Sequence, residues 1–217
     1  MRHRNKPWAA EEIAAHPQYI VPQPSGNKGR WHHFFGNSNP LYVEVGSGKG
    51  RFVTGMADEN PGINMIGIEK FDTIIISGLE RMIERGLKNV IMLKEDVNEI
   101  TSFFGPKEVD RLFINFTDPW PKNRHAKRRL THEGFLQKYV EILKDGGEIH
   151  MKTDNRLLFQ YSLQSFSEFG LTLKNISLDL HEDGLEGNVM TEYEEKFSSE
   201  GQPIYRVEAV WNGREDE

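Results

Sequence analysis

Hydrophobic and polar positions fall into two patterns from Leu41 onward. Short apolar runs are typical of buried strands, and longer stretches carry apolar residues at helical spacing. The runs predict seven strands: Leu41–Gly46, Asn64–Glu69, Asn89–Asp96, Val109–Phe116, Gly147–Thr153, Leu171–Leu180 and Pro203–Trp211. The helical spacing predicts four helices: Arg51–Glu59, Thr73–Arg85, Phe135–Leu143 and Leu157–Phe169. Gly146 and Gly147 are expected to end the third helix.

Strands that alternate with helices predict parallel βαβ units with helices on both faces of the sheet. The last two runs have no obvious helix between them, so we expect an antiparallel pair at one edge. The predicted fold class is α/β, with a mixed, mostly parallel seven-stranded sheet. Residues 1–40 are rich in proline and show little periodicity. We expect an extended N-terminal arm over 1–40 that belongs to the same domain as 41–217.

Composition narrows the class of protein. The chain has 217 residues, of which 37% are hydrophobic and 28% charged, as in one globular domain. No apolar run approaches the roughly 20 residues that span a bilayer, and the N-terminus lacks an apolar signal core. A cytoplasmic location without membrane attachment is therefore expected. The absence of cysteine excludes disulfides and thiolate catalysis, and eight scattered histidines without H-x-x-x-H spacing indicate no metal site.

The distribution of charge matters more than its sum. A formal net charge of -6 opposes nucleic-acid binding. Basic residues nevertheless cluster at the N-terminus (Arg2, His3, Arg4 and Lys6), at Lys28 and Arg30, and between Lys122 and Arg129. Acidic residues are concentrated between Asp179 and Glu200. This pattern predicts a polarised surface.

Glycines and acidic residues follow the first three predicted strands. Gly46, Gly48 and Gly50 come directly after the first strand, Glu69 closes the second and Asp96 the third. Ligands of doubly wound sheets bind beyond the carboxyl ends of the strands, so these residues predict a cofactor site. A carboxylate at the end of the second strand is well placed to accept the hydroxyls of a ribose. The alternative for the glycines is a tight strand-to-helix turn without a ligand.

Two nucleotide motifs fail at this turn. A P-loop requires Ser or Thr after Gly-Lys, but Gly48-Lys49 precedes Gly50. A dinucleotide fingerprint requires a third glycine where Arg51 stands. Glu44 would also repel a pyrophosphate, whereas it would attract a cationic cofactor. The pattern E-x-G-x-G-x-G resembles the S-adenosylmethionine site of Rossmann-like methyltransferases. That resemblance implies that Glu44 lies near the methionine part, Glu69 at the ribose and Asp96 at the adenine.

The stretch Asn115–Arg129, NFTDPWPKNRHAKRR, follows the fourth strand. Its first part, the proline loop Asp118–Pro121, has a proline on each side of Trp120, which stiffens the backbone. An aromatic side chain held in this way can stack on a base. Its second part, the basic run Lys122–Arg129, is either a solvated face or a grip on phosphates. Its position after the fourth strand, at the edge of the sheet where the cofactor is expected, favours phosphate binding.

Three motifs together resemble one family. DPWPKNRHAKRR, KTDN (Lys152–Asn155) and TEYEEKF (Thr191–Phe197) are similar to motifs of bacterial tRNA (guanine-N7-)-methyltransferases. These are class I enzymes with a Rossmann-like methyltransferase fold. The resemblance implies transfer of a methyl group from S-adenosylmethionine to N7 of a guanosine in the variable loop of tRNA, leaving S-adenosylhomocysteine. It leaves open whether the protein is a monomer or a homodimer.

The resemblance also implies residue roles. Asp118 is the catalytic residue. The cofactor-binding residues are Glu44, Gly46, Gly48, Gly50, Glu69, Asp96 and Asp118. The substrate-binding residues are Lys122, Asp154, Thr191, Glu192, Tyr193 and Glu194. The RNA-binding residues are Arg124, His125, Ala126, Lys127, Arg128 and Arg129.

Guanine N7 carries a lone pair and no proton, so the reaction needs positioning and charge stabilisation rather than a general base. We therefore expect Asp118 to orient the base, with Asp154 and Glu194 as further acceptors for guanine N–H groups. Structural alternatives remain for two motifs. Asp154-Asn155 is also a helix cap, and Thr191 with Glu194 has capping-box spacing. The competing functions are a non-catalytic RNA-binding module and a small-molecule methyltransferase.

Overall fold

The computed structural model describes residues 6–213, so the predicted basic residues Arg2, His3 and Arg4 lie outside the described part. The chain forms two compact units, Met1–Gly105 and Pro106–Glu217. Each is described by itself below as unit 1 and unit 2. The predicted division at residues 40 and 41 stays a prediction.

Unit 1 contains three parallel strands in the order β3-β2-β1. Leu41 pairs with Asn64, and Met65 with Val90. The helices are α1 Ala9–Ala15, α2 Trp31–Phe35, α3 Arg51–Glu59, α4 Asp72–Arg85 and α5 Ile100–Phe103, and the strands are β1 Leu41–Val45, β2 Asn64–Ile68 and β3 Val90–Leu93. Short 3-10 turns cover Pro24–Asn27 and Val97–Glu99.

Burial explains why the strands of unit 1 are apolar throughout. Every residue of β2 and of β3 is buried, because helices α3 and α4 pack against this part of the sheet. The apolar face of α4 contributes Ile75, Ile76, Leu79 and Met82 to the core, which matches the predicted helical spacing.

Residues 6–40 are helical in part rather than extended. Helix α1 packs against α4, and Ile20 forms a bridge with Met92 of β3. Trp31 is fully buried, and its indole N–H donates to the Phe103 carbonyl at 2.8 Å. Helices of five and seven residues are too short for a periodic pattern to show, which is why the sequence predicted an arm.

Unit 2 contains four strands in the order β4-β5-β7-β6. Strand β4 is parallel to β5, whereas β7 is antiparallel to both β5 and β6. The strands are β4 Val109–Asn115, β5 Leu143–Thr153, β6 Thr172–Ser177 and β7 Tyr205–Val210, and the helices are α6 Glu133–Ile142, α7 Arg156–Phe169 and α8 Glu192–Ser199. A 3-10 turn covers Asn123–Arg128.

The predicted fold class is confirmed. The strand order across the sheet is β3-β2-β1-β4-β5-β7-β6, mostly parallel with an antiparallel edge. The expectation that no helix lies between the last two strands was wrong, because α8 lies between them. Among residues 6–213, no helix combines the length and the apolar character that crossing a bilayer would require.

The glycine pair after α6 does not end that helix. Strand β5 begins at Leu143 and includes both glycines. Gly146 takes the left-handed region at φ +76°, and its N–H donates to the Trp211 carbonyl at 2.7 Å. The pairing of β4 with β5 is irregular at this end. The left-handed glycine therefore serves an irregular strand rather than a helix cap.

We predict that Gly50→Ala destabilises unit 1 more than Gly86→Ala does. Both glycines have positive φ, so either change strains the backbone by about 1 kcal/mol. At Gly50 the new Cβ would also lie 2.9 Å from the Gly78 Cα, whereas no atom lies within 4 Å at Gly86. This overpacking adds roughly 1–3 kcal/mol. Urea unfolding measures the difference, and equal losses would contradict the close approach.

Candidate functional site

The turn after β1 is built on three left-handed glycines. Gly46, Gly48 and Gly50 have φ values of 69°, 56° and 75°, and Gly50 caps the start of α3. The Gly50 N–H donates to the Ser47 carbonyl at 3.0 Å. The structure therefore shows the tight turn that glycines allow, with the Ser47 and Gly50 N–H groups donating to carbonyls of unit 1.

Glu69 lies directly after β2 with both carboxylate oxygens held by backbone N–H groups. One oxygen accepts from Gly48 at 3.1 Å and the other from Phe71 at 3.0 Å. The side chain is buried, like that of Glu44 on β1. The structure thus brings the glycine turn and the Glu69 carboxylate together, as the strand ends predicted.

Asp96 follows β3 and caps the 3-10 turn Val97–Glu99. One of its oxygens accepts from the Asn98 backbone N–H at 2.9 Å, and the other pairs with Lys70 at 2.6 Å. The hydrogen bond from Lys70 holds the pKa of the Asp96 carboxyl below its ordinary value, so this group is anionic at neutral pH. Sequence patterns did not single out Lys70.

Unit 1 therefore offers three carboxylates, Glu44, Glu69 and Asp96, together with the glycine turn after β1. Sulfonium and ammonium groups are cations that such carboxylates attract. Glu69 and Asp96 also supply acceptors for hydroxyl and amino groups. These residues fit a cofactor that carries positive charge and a ribose.

In unit 2 the segment from the end of β4 through the proline loop contains two residues with an unusual backbone conformation. Phe116 and Trp120 have backbone φ values of 50° and 42°, which residues other than glycine rarely adopt. The Phe116 N–H donates to the Lys152 carbonyl at 2.9 Å and so ties the loop to β5. Asp118 lies between the two residues and is exposed to solvent.

The basic run is mostly exposed. Lys122, Arg124, Lys127 and Arg128 are exposed, and His125 and Ala126 are half-buried. The guanidinium of Arg128 lies 4.8 Å from the centre of the Trp120 ring, and the His125 ring is 5.9 Å from it. The Trp120 ring therefore already has a cation and an imidazole of the basic run as neighbours.

Arg129 differs from the rest of the basic run. Only 9% of its surface is exposed, and its guanidinium donates to the carbonyls of Pro119 and Trp120 at 3.2 and 3.0 Å. The expectation that Arg129 contacts RNA does not agree with this burial. Its charged group is occupied inside the protein.

The motif after β5 separates into a cap and a carboxylate. Asn155, not Asp154, caps α7, because the Asn155 side chain accepts from the Leu158 N–H at 2.9 Å. Asp154 is half-buried, and desolvation raises the pKa of its carboxyl above the ordinary value. Helix capping therefore explains Asn155, and the Asp154 carboxylate, which is not the cap, is available for a ligand.

The motif at Thr191 does open a helix. The Thr191 hydroxyl accepts from the Glu194 N–H at 2.9 Å at the start of α8. Thr191 is buried, whereas Tyr193 is 48% exposed and stacks on Phe197. The capping interpretation is confirmed for the Thr191 side chain.

The Glu194 carboxylate forms a buried ion pair instead of facing solvent. It is fully buried and lies 2.6 Å from the Nζ of Lys152, which is 5% exposed. Its other oxygen accepts from Asn188 at 2.6 Å, and His181 lies 3.3 Å from the same oxygen. This arrangement does not agree with the expectation that Glu194 binds guanine directly. Lys152, part of the KTDN motif, was missed because its partner lies 42 residues away.

A second charged cluster lies on strands β5 and β7. Glu148, His150 and Glu208 place possible metal ligands within 4.8 Å of one another. The same carboxylates already bind Arg111 and Lys174 (Glu148) and Arg206 (Glu208). With three cations against two carboxylates, this cluster is an ion-pair network rather than a candidate metal centre.

Comparison with known proteins connects this geometry to a family. A family described as "Putative methyltransferase" matches residues 38–207. A tRNA (guanine-N(7)-)-methyltransferase of Streptococcus suis is 59% identical over 96% of this chain and 99% of its own. A protein of Bacillus subtilis with the same name is 54% identical over 97% and 99%.

Solved structures agree on the fold. The 16S rRNA methyltransferase KamB matches with a TM-score of 0.62 at 14% identity, over 85% of this chain and 94% of its own. An S-adenosylmethionine-dependent methyltransferase from Aquifex aeolicus matches with a TM-score of 0.54 at 14% identity, over 95% and 99%. At such low identity these likenesses support the fold alone.

We predict that Lys152→Met costs roughly 3–5 kcal/mol of unfolding free energy, because it leaves the Glu194 carboxylate buried without its cation. Lys107→Met is the matched control. Lys107 pairs with Asp145 at 2.7 Å, but both side chains are more than half exposed, so the expected loss is below about 1 kcal/mol. Urea unfolding compares the two variants. Similar losses would show that the buried pair adds no more than a surface pair.

We predict a pH dependence of stability that originates at His150. Burial, followed by the nearby Arg111, lowers the pKa of His150 to about 4, whereas an unfolded histidine titrates near 6.5. As the pH falls from 7 to 4.5, the unfolded chain takes up the proton first and stability falls by roughly 2 kcal/mol. His150→Gln should reduce the change of unfolding free energy over this pH range, and the exposed control His33→Gln should not. Urea unfolding at pH 7 and at pH 4.5 measures this loss of stability. An equal loss in His150→Gln and in the unmodified protein would contradict the assignment.

Proposed function

The chain belongs to the family of tRNA (guanine-N(7)-)-methyltransferases, and from this premise we propose which of its residues serve the reaction. The protein is an S-adenosylmethionine-dependent enzyme that methylates N7 of a guanosine in tRNA. We infer that this guanosine lies in the variable loop, as the motif resemblance implies. The cytoplasmic location and the choice between monomer and homodimer stay predictions.

One observation supports the residue assignment most strongly: the exposed Asp118 carboxylate stands in a stiff loop that leads directly into an exposed basic run. A carboxylate in such a loop can hold a base, and the cations beside it can hold the phosphates of the same RNA. A small substrate would leave the basic run without a purpose.

The cofactor residues other than Asp118 are in unit 1. Bound S-adenosylmethionine supplies a methyl group on a positively charged sulfur. Glu44 provides negative charge toward the methionine part. The Glu69 oxygens, oriented by the backbone of Gly48 and Phe71, accept the ribose hydroxyls. Asp96, kept anionic by Lys70, accepts from the adenine amino group. A non-catalytic RNA-binding module would not need these three carboxylates together.

The guanosine residues are in unit 2. Guanine N7 needs no deprotonation, so Asp118 and Asp154 act by accepting hydrogen bonds from the N1–H and amino group and by favouring the cationic product base. Lys122, the exposed Tyr193 and the half-buried Glu192 provide further contacts to the nucleoside. Thr191 and Glu194 act indirectly, since one caps α8 and the other ties it to β5.

The phosphate contacts come from the exposed Arg124, Lys127 and Arg128, with the half-buried His125 and Ala126 in the same turn. Their concentration explains how a chain of net charge -6 can bind tRNA. Base recognition and phosphate binding therefore fall on neighbouring segments of the chain.

We predict that the purified protein converts guanosine to 7-methylguanosine in tRNA incubated with S-adenosylmethionine, as measured by nucleoside mass spectrometry. Asp118→Asn should slow this by on the order of a hundredfold, because it removes charge where the base becomes cationic, while tRNA affinity stays within a few fold. Glu133→Gln, the same change at an exposed helix position, is the control. No 7-methylguanosine from the unmodified protein would contradict the function. Near-normal turnover by Asp118→Asn would contradict only the role of Asp118.

A further inference from the structure

We propose that Arg129, the last residue of the basic run, is a positioning residue that locks the proline loop and does not grip a phosphate. The proposal builds on the proposed function, in which Asp118 orients the guanine and the basic run binds RNA. It assigns one member of that run a different task from its neighbours.

Burial separates Arg129 from the rest of the run. Arg129 is 9% exposed, while Lys127 and Arg128, its immediate predecessors, are exposed. A guanidinium that binds a phosphate of a large RNA has to reach the surface. That of Arg129 is directed inward and bonded to the protein's own backbone.

The hydrogen bonds of Arg129 fall on the proline loop. Its Nε donates to the Pro119 carbonyl at 3.2 Å and its Nη2 to the Trp120 carbonyl at 3.0 Å. Trp120 holds a left-handed conformation, at φ 42°, that a non-glycine residue keeps only when its surroundings enforce it. The forked guanidinium supplies this restraint on two successive carbonyls.

A third contact links the same guanidinium to a helix. Its central carbon lies 4.2 Å from the centre of the Tyr161 ring on α7, which is a cation–π distance. Helix α7 begins at Arg156, directly after Asp154 and Asn155. Arg129 therefore joins the loop that carries Asp118 to the helix that follows Asp154. We infer that it sets the distance between the two carboxylates that hold the guanine.

Lysine cannot replace this device, because an ammonium lacks both the fork and the flat face that covers a ring. A lysine could, however, still bind a phosphate. Arg129→Lys should therefore slow methyl transfer at saturating tRNA and cofactor by roughly tenfold to a hundredfold, as measured by single-turnover kinetics. An unchanged single-turnover rate would overturn the proposal.

Salt dependence of tRNA binding tests the alternative role. Lys127→Gln, which removes an exposed cation, should lower the slope of log affinity against log salt by about one. Arg129→Gln should leave this slope as in the unmodified protein, although it removes the same charge. A slope reduced as in Lys127→Gln would identify Arg129 as a phosphate contact and overturn the proposal.

Tyr161→Leu provides a second test that changes no charge. Removing the ring should loosen the proline loop, so trypsin should cut the folded Tyr161→Leu variant within the basic run faster than it cuts the unmodified protein. Methyl transfer by Tyr161→Leu should slow as it does in Arg129→Lys. The tryptic sites at Lys122, Arg124, Lys127 and Arg128 are intact in both variants. Cleavage at the normal rate in both variants would overturn the proposal.

The trypsin comparison uses neither RNA nor cofactor. A protein that yields no 7-methylguanosine would contradict the proposed function, whereas cleavage rates would still decide whether Arg129 holds the loop. Failure of one proposal is thus distinguishable from failure of the other.

Discussion

The substrate side of unit 2 depends on one buried cation, Lys152. Its Nζ bonds the Glu194 carboxylate, the Asn188 side chain and the Val189 carbonyl, and its own carbonyl accepts from Phe116. A single residue at the end of β5 thereby fastens both the segment before α8 and the loop that carries Asp118. A buried ammonium requires such partners, because an unpaired charge in the interior is very costly. The same requirement makes the arrangement specific.

Charged residues in this protein divide into those that are enclosed and those that face solvent. Glu194 and Arg129 are enclosed, and each holds a loop in place through bonds within the chain. Asp118 and Lys127 are exposed and remain available to a ligand. Motif membership does not distinguish the two groups, since Arg129 belongs to the basic run and Glu194 to the TEYEEKF motif. Burial does, because it decides whether a charge can reach an RNA.

The two units carry chemistry of opposite sign. Unit 1 supplies Glu44, Glu69 and Asp96, which suit a cationic cofactor. Unit 2 adds the basic run, which suits a polyanion. Methyl transfer to N7 moves positive charge from sulfur to the purine and releases no proton from the nucleophile. Electrostatic placement of carboxylates and control of loop geometry therefore have more to contribute than acid–base chemistry.

The sequence alone determined the fold class, most element positions and the family. Short apolar runs reveal strands such as Asn64–Ile68, and DPWPKNRHAKRR is a continuous motif. Both are local signals. Features that depend on long-range contacts were decided only by the tertiary structure. Lys152 pairs with Glu194, Arg129 turns inward onto Tyr161, and Gly146 lies in a strand rather than ending a helix. A linear pattern records which residues can carry charge or turn the backbone. It does not record which of them the folded chain encloses, because that depends on partners far away in sequence.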